Sequence, residues 1–476
     1  MHLSDFPDRL SPMLVKELRQ GLRTRSFIAV FLALQAILAV ILLAAGAGAT
    51  SDNAGETISN IIFIFFSIAV IIIQPMRGIA ALSSEVKGNT IDMMVLTRLS
   101  AWRIVAGKWS AIVSQSALIL VTIVPYLILR YFFGGMNLFG EIMVLALIFL
   151  SSATLTAVTV GLSASSSVIL RSVLPMIALP FGAYSMLMML MFSGMRGGGG
   201  GGGGGIAELV SLSTTASQVG VSLYIATCAY AGFFFISTGT SLIAPYAENH
   251  STLRRLISFV VTCIAALIGS TNLVTDADVL PLLFTMILAP VFAISLTEFA
   301  PLVSPTYSRF TKFGRPGKLA GFFLFPGWPS GVFFCALLSL ISAIPFVLND
   351  HSYGDDHYMY GLICLASLLF PAVVVNLLRT QGAQRVSNYV LFLIASGVIT
   401  AVLAGIAESM SSKGFLWLFL WIPPVLFALK EMSHSGDAVL MASVAMTLIL
   451  FGILIVMALA TYRKSLVEIE KSINPQ

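Results

Sequence analysis

The chain has 476 residues, of which 58% are hydrophobic and only 10% are charged, and its mean hydropathy is +0.96. A soluble domain carries roughly a quarter charged residues, so a fold of this size has too little polar surface to cover itself in water. The composition excludes a soluble enzyme, a coiled coil and a disordered chain, and the net charge of +5 has to be interpreted through membrane topology.

The apolar residues are gathered in runs of about twenty, the length that crosses a hydrocarbon core as an α-helix. They predict an all-α fold, a polytopic transmembrane helical bundle with about 12 spans. A thirteenth run, Phe415–Leu429, is shorter and contains Pro423 and Pro424, so we interpret it as a re-entrant or interfacial segment. The predicted spans are 27–46, 58–75, 109–130, 140–162, 172–193, 219–245, 257–274, 279–297, 329–348, 358–378, 388–407 and 439–461.

The basic residues test this topology, because cytoplasmic loops carry an excess of Lys and Arg. With both the N- and C-termini in the cytoplasm, 22 of the 26 Lys and Arg residues fall in predicted cytoplasmic segments. If Phe415–Leu429 crossed the bilayer, the basic C-terminal segment would move to the outside. Topology therefore explains the positive charge, and we expect no nucleic-acid partner.

The polar residues within the spans are few. No ionisable residue lies in the middle of a predicted span, which argues against a proton-coupled carrier. Gln35, Gln115 and Asn376 lie near or within spans, and we expect them to form hydrogen bonds between helices. The sequence contains no complete phosphate-binding loop, so any ATP that drives this protein is hydrolysed by another polypeptide.

A cytoplasmic helix is predicted before the first span. Ser11-Pro12 is a helix-start signal, because the serine can cap the helix and the proline lacks only an N–H that has no partner there. Leu14, Leu18 and Leu22 then recur on one face, and basic residues occupy much of the remainder. The pattern is typical of an amphipathic helix at the membrane surface, which either sets topology alone or also contacts a cytoplasmic partner.

Residues 85–108, between the second and third spans, are neither a short loop nor a span. Ile91, Val95 and Leu99 share a helical face, and Ser100 can cap a second helix that runs into span three. A cytoplasmic helix–turn–helix at this place would transmit the motion of a partner into the membrane.

Both cytoplasmic elements resemble parts of a known family. Pro12–Arg25 is similar to the N-terminal interface helix of type-2 ABC transporter permeases, and the resemblance extends over about residues 10–245. The sequence departs from the family at Asn89, where glycine is common, and at Arg98, where proline is common. The segment before the family's third span is similar to the pattern formed here by Glu85, Thr90, Leu96, Thr97, Ser100, Ile104, Gly107 and Lys108.

The resemblance implies a six-span permease domain that docks on a separate ABC ATPase subunit. ATP and Mg²⁺ would be bound by that partner, and this chain would hold no catalytic residue, metal or cofactor. Spans two and five would line the path of the cargo. The residues expected to contact the ATPase are Lys16, Glu17, Arg23, Glu85, Thr90, Asp92, Leu96, Arg98, Ser100, Arg103 and Lys108.

The second half has the same order of segments as the first but lacks its motif: two spans, a basic cytoplasmic segment and four more spans. We expect either a 6+6 parallel pseudo-repeat, with residues 308–320 facing a second ATPase, or an accessory extension on one half of a homodimer. The predicted domains are an interface helix (1–26), a permease domain (27–248, with a coupling segment at 77–108 and an external glycine-rich loop at 194–218) and a second membrane domain (249–476, with the re-entrant or interfacial segment at 415–430).

An alternative assigns chemistry to the predicted external loop between spans nine and ten. Its imidazole and carboxylate groups could bind a metal ion or act as an acid–base pair, as a multi-span glycan polymerase or ligase of the cell envelope would need. A solvated loop is the plainer interpretation, and a secondary carrier driven by an ion gradient is a third hypothesis. The ionisable residues of this loop are Asp350, His351, Asp355, Asp356 and His357.

Together these patterns favour the membrane-spanning permease subunit of an ABC-type exporter in the cytoplasmic (inner) membrane of a bacterium. Its expected partners are the separate ATPase, the lipid bilayer, and a second copy or a second permease. No residue pattern identifies the cargo.

Overall fold

The computed structural model is helical, and no strand occurs among the residues that it describes. The chain forms two compact units, Met1–Ala244 and Pro245–Gln476, which divide close to the predicted domain boundary at residues 248 and 249. The structure describes residues 12–48, 54–88, 99–130, 138–176, 179, 212, 215–245, 248–271, 279–299, 304–348, 355–378, 380, 382, 384–410, 414–432 and 436–473.

Ten helices in the described part of the chain are long and apolar enough to cross a membrane, so the chain is a multi-pass membrane protein. An eleventh apolar helix, Leu280–Ser295, is shorter and corresponds to the predicted span 279–297. The predicted span 172–193 lies mostly outside the described residues. The multi-span helical bundle is therefore confirmed, whereas the number of about 12 spans and the cytoplasmic position of both termini remain predictions.

The first unit begins with a helix that starts at Pro12, as the Ser-Pro signal predicts. A π-helical turn follows α6 at Ile169–Val173. The helices of this unit are α1 (Pro12–Leu22), α2 (Arg25–Gly48), α3 (Ala54–Ser67), α4 (Ser83–Lys87), α5 (Ala101–Arg130), α6 (Leu138–Leu162) and α7 (Thr215–Ile243).

The second span does not end near residue 75 as predicted. From α3 the chain continues through a π-helical turn (Ile68–Ile73), one α-helical turn (Gln74–Met76) and a 3-10 turn (Arg77–Ala80) towards α4, so that Ile61–Lys87 is one apolar helical run. In a π-helical turn each N–H bonds the carbonyl five residues earlier, but Pro75 has no N–H for the carbonyl of Val70. The hydroxyl of Ser152 donates a hydrogen bond to that carbonyl instead, at 2.6 Å.

Close helix packing holds the first unit together. Leu38, Ile62 and Phe66 are fully buried in a core formed by α2, α3, α5 and α6. Helices α6 and α7 cross where Gly161 meets Gly239: a Cβ atom added to Gly161 would lie 2.2 Å from the carbonyl oxygen of Phe235. Small residues allow backbones to approach this closely, which is how helices associate tightly within a bilayer.

The first helix of the second unit, α8, begins at Ser251, six residues before the predicted start of its span at residue 257. This places Arg254 and Arg255 inside the helix. The helices are α8 (Ser251–Gly269), α9 (Val279–Ser295), α10 (Ser304–Thr311), α11 (Gly314–Leu324), α12 (Trp328–Leu348), α13 (Asp355–Leu377), α14 (Gln384–Ser409), α15 (Val425–Met432) and α16 (Gly436–Ile473).

The run predicted to be re-entrant or interfacial is broken into two short elements. A 3-10 helix, Gly414–Phe419, is separated by a turn containing Pro423 and Pro424 from α15. The buried side chains of both elements, among them Leu416 and Leu426, pack in one core with residues of α13, α14 and α16. Neither element is long enough to cross a bilayer by itself.

Candidate functional site

Three of the residues predicted to contact an ATPase meet in the first unit. The Nζ atom of Lys108 lies 2.8 Å from a carboxylate oxygen of Glu85 and 3.3 Å from one of Glu17. The lysine side chain is only 7% exposed, and those of Glu85 and Glu17 are 14% and 18% exposed. We call these three residues the lysine cluster. It joins α1 to α4 and α5, which lie much later in the sequence.

Helix α1 is positioned by its packing along α5. Met13 lies against Gly107, and a Cβ atom at this glycine would approach the Cγ atom of Met13 to 3.1 Å. The apolar face of α1 thus contacts protein, where the sequence alone suggested a membrane surface. Lys16 and Arg23 are exposed on its other side.

A second polar junction fixes the C-terminal end of α1. The guanidinium of Arg77 donates hydrogen bonds to the carbonyl of Gly21 at 3.2 Å and to the hydroxyl of Thr24 at 2.9 Å. It also donates to the side-chain carbonyl of Gln115 in α5 and lies over the ring of Phe27, 5.8 Å from its centre. We call this group the arginine junction.

A stripe of buried hydroxyl groups, on α6 and in the turn directly after it, packs along the second span. Besides the bond from Ser152 to Val70, the hydroxyl of Ser163 accepts a hydrogen bond from the backbone N–H of Leu82 at 3.1 Å. Gly78 leaves room for the side chain of Thr159, whose hydroxyl lies 2.3 Å from the place of a Cβ atom at Gly78. The stripe consists of Ser152, Thr156, Thr159 and Ser163, which have no exposed surface.

The remaining predicted coupling residues are placed in part. Ser100 caps α5 as predicted, because its hydroxyl accepts a hydrogen bond from the N–H of Arg103 at 3.4 Å. The side chain of Arg103 is exposed. Outside the described residues lie Thr90, Asp92, Leu96 and Arg98.

The polar residues of the spans make the expected contacts between helices. The side-chain amide of Gln35 in α2 donates to the hydroxyl of Thr122 in α5 at 2.8 Å. Asn376 at the end of α13 accepts a hydrogen bond from Arg385 in α14, and Gln115 accepts one from Arg77.

The predicted external loop is only partly described. Asp350 and His351 lie outside the described residues, and α13 begins at Asp355. Nothing is described of the side chains of Asp355, Asp356 and His357. Within the described ranges, no three His, Cys, Asp or Glu residues are grouped so that they could hold a metal ion.

The second unit contains a buried ion cluster that the sequence did not predict. Glu298, in the turn after α9, lies 3.0 Å from the guanidinium of Arg254 and 2.8 Å from that of Arg255. Arg255 is 1% exposed and also donates to the backbone carbonyls of Phe325, at 2.5 Å, and Gly327, at 2.9 Å. Glu298 in turn accepts a hydrogen bond from the hydroxyl of Ser251. We call this group the Arg255 cage.

The electrostatics of the cage keep the glutamate ionised. Burial alone would raise the pKa of the Glu298 carboxyl, but the neighbouring guanidinium groups of Arg255 and Arg254, with hydrogen bonds from Ser251 and from the N–H of Gly327, hold that pKa below its usual value. The cage thereby ties the loop before α12 to the first turns of α8. The indole of Trp328, the first residue of α12, lies 5.1 Å below the guanidinium of Arg385.

Only a weak signal in the sequence pointed to these residues. Arg77, Arg254 and Arg255 were explained by topology alone, and each is instead held in a specific set of contacts. Glu298 is the only acidic residue between Asp278 and Asp350. An isolated acid directly after an apolar run is a candidate partner for a buried cation.

Comparison of the chain with protein-family models, with curated proteins and with solved structures gives no match.

Proposed function

We propose that this protein is the membrane-spanning permease subunit of an ABC-type exporter in the cytoplasmic membrane of a bacterial cell, driven by a separate ATP-binding subunit. The observation that carries the proposal is the lysine cluster. It unites the two cytoplasmic elements that resemble the family, α1 and the segment from Glu85 to Lys108, at one point.

The contacts of the first unit would let a movement of α1 be transmitted to the membrane helices. The lysine cluster and the arginine junction attach the middle and the C-terminal end of α1 to α5, so that α1 and the third span move together. The hydroxyl stripe attaches the second span to α6. A displacement applied to α1 or to the segment after Gly88 is thus passed to three membrane helices by buried and partly buried contacts.

The charges indicate where a partner would bind. Glu17 and Glu85 form ion pairs with Lys108 inside the protein. The side chains of Lys16, Arg23 and Arg103 are exposed and can face a partner. An acidic surface on the ATPase would complement these cations and direct docking to this side of the first unit.

Helix pairing supports a parallel pseudo-repeat. In the first unit α2 packs on α5, the run from α3 to α4 on α6, and α7 on both α5 and α6. In the second unit α8 packs on α12, α9 on α13, and α16 on both α12 and α13. In each half the first membrane helix packs on the third, the second packs on the fourth, and the last packs on both the third and the fourth. Duplication of one six-span permease domain would produce this shared order.

The proposal is tested by photolabelling with an azido-ATP analogue. The tagged full-length chain is purified in mild detergent from membranes of its own cell, and the accompanying polypeptides are photolabelled. We expect a separate labelled chain, which is depleted at least tenfold when Arg98 and Arg103 are both changed to Glu. Arg463→Glu with Lys464→Glu is the matched control, because these two adjacent basic residues are exposed on α16.

Two results would contradict the proposal. One is the absence of any ATP-binding chain in preparations in which the permease itself is intact. The other is an ATP-binding chain whose yield is the same with Arg98 and Arg103 reversed as in the wild type.

A further inference from the structure

The segment between α9 and α12 forms a basic helical hairpin, α10 and α11. Its cations are Arg309, Lys312, Arg315 and Lys318, and all four side chains are exposed. The sequence contains no acidic residue from position 299 to position 349 that could neutralise them. The hairpin therefore presents charge of one sign only.

The inner faces of the hairpin are packed, which fixes the cations on the outside. The ring of Phe310 in α10 packs edge-on against Phe325, with 5.1 Å between ring centres. Gly317 in α11 is buried so closely that a Cβ atom there would lie 1.9 Å from the carbonyl oxygen of Phe310. Gly321 likewise faces the ring of Phe325. Because Arg315, Lys318 and Leu319 lie on the other side of α11, they cannot turn inward.

Two large apolar side chains stand out among the cations. Phe313, at the tip between the two helices, is 77% exposed, and Leu319 is 70% exposed. The turn at the tip is set by Gly314, whose φ of +67° is a conformation that favours glycine. Exposed apolar residues next to cations are typical of a surface that enters the headgroup region of a bilayer.

The base of the hairpin is tied to membrane-spanning helices. Arg255, in the first turns of α8, holds the C-terminal end of the hairpin in place. Its guanidinium donates hydrogen bonds to the backbone carbonyls of Phe323, at 3.1 Å, and Phe325, at 2.5 Å. An eleven-residue helix such as α11 is only about 16 Å long. The headgroup region of a bilayer begins at the end of the apolar spans, so a hairpin whose base is tied to α8 in this way starts at the level of the headgroups.

We propose that the hairpin α10–α11 is a docking surface for anionic lipid headgroups, with Phe313 and Leu319 inserted between the lipids. This inference depends on the membrane location of the chain and not on an ABC partner. Charge complementarity favours the anionic leaflet surface, since each Lys or Arg near such a surface contributes about 1 kcal/mol. A cytoplasmic protein docked on the same residues is the competing outcome of the test.

The test measures how deeply position 313 enters the bilayer. Phe313→Cys is introduced into a full-length chain whose four native cysteines are replaced, labelled with an environment-sensitive fluorophore and reconstituted into vesicles. One set of vesicles is pure phosphatidylcholine and the other contains about one third phosphatidylglycerol; both carry a lipid with a quencher at the headgroup–acyl boundary. The four cations are then changed to Gln, singly and together, and Arg463→Gln with Lys464→Gln is the control.

We expect strong quenching in the anionic vesicles and weak quenching in phosphatidylcholine. Each single change to Gln should lower the ratio of inserted to free hairpin about fivefold, and the fourfold variant should abolish insertion, whereas the control should change nothing. High salt should weaken insertion of the unaltered chain, which tests the charge term without any substitution. The proposal is overturned if position 313 is exposed to water in both kinds of vesicle, as it would be on a protein-docking surface. Equal quenching with and without anionic lipid would also overturn it.

Discussion

Lys108→Ala is expected to release α1 from the membrane helices. At an effective dielectric constant of about 20, contacts of 2.8 Å and 3.3 Å each supply a gross attraction of about 5 to 6 kcal/mol. Repulsion between the two glutamates and the loss of hydration offset most of it. Removal of one partner from a buried ion pair costs about 3–5 kcal/mol, and the partial exposure of Glu17 and Glu85 places this cluster at the lower end, about 3 kcal/mol.

Hydrogen exchange of the α1 amides, followed by mass spectrometry on the detergent-solubilised protein, measures this release. A cost of about 3 kcal/mol raises the population of detached α1, and therefore its exchange rate, about a hundredfold. Arg103→Ala is the matched control, because Arg103 is exposed on the same helix. A neutral variant that combines Lys108→Met with Glu17→Gln and Glu85→Gln should regain most of the protection, since no unpaired charge remains.

Two results would contradict the proposed role of Lys108. Unchanged exchange of α1 in Lys108→Ala would show that the ion pairs do not hold the helix. Exchange that is faster in the neutral triple variant than in Lys108→Ala would show that unpaired carboxylates are not the source of the cost.

Three further predictions concern other parts of the chain. Glu298→Gln should lower thermal stability at pH 7 and make the protein lose less stability on acidification. Because the pKa of Glu298 is lowered in the folded state, its contribution is complete at neutral pH and is lost only as the pH falls below about 4 and through that lowered value. Unfolding curves between pH 7 and about 3 check this, and equal acid sensitivity of wild type and variant would contradict it. Gly161→Ala should force α6 and α7 apart at a cost of about 1–3 kcal/mol, seen as a lower melting temperature, whereas Gly232→Ala, with no neighbour within 4 Å, should be neutral. His351→Ala with His357→Ala should leave ATP-dependent transport in vesicles unchanged if the chain is a permease; loss of a glycan-polymerising or ligating activity would favour the envelope-enzyme alternative.

Much of the fold could be predicted because lipid imposes a simple rule. A helix that crosses a bilayer needs an uninterrupted apolar run, and such runs are visible one at a time without knowledge of their neighbours. Helix ends were less predictable. The second span continues through Pro75 to Lys87 because Ser152, on another helix, serves the carbonyl that the proline leaves free. A local pattern contains no information about such a distant partner.

The candidate site was predictable to the same extent. The resemblance singled out Glu17, Glu85 and Lys108 separately, but their ion pairing depends on how α1 packs along α5. The roles of Arg77 and Arg255 could not be read from the sequence, because an arginine beside a span is usually explained by the positive-inside rule. Only their bonding partners, 38 and 43 residues away at Gln115 and Glu298, distinguish them from topological signals.

The sidedness of the segment from Glu85 to Lys108 decides the central claim most directly. Ser100 is exposed, so Ser100→Cys in a chain whose native cysteines are replaced can be labelled with a membrane-impermeant maleimide. A cytoplasmic position of this segment predicts labelling in inside-out vesicles and none in intact cells or spheroplasts. Labelling from the external side would place the lysine cluster where no ATPase can reach it, and the proposed permease function would have to be abandoned.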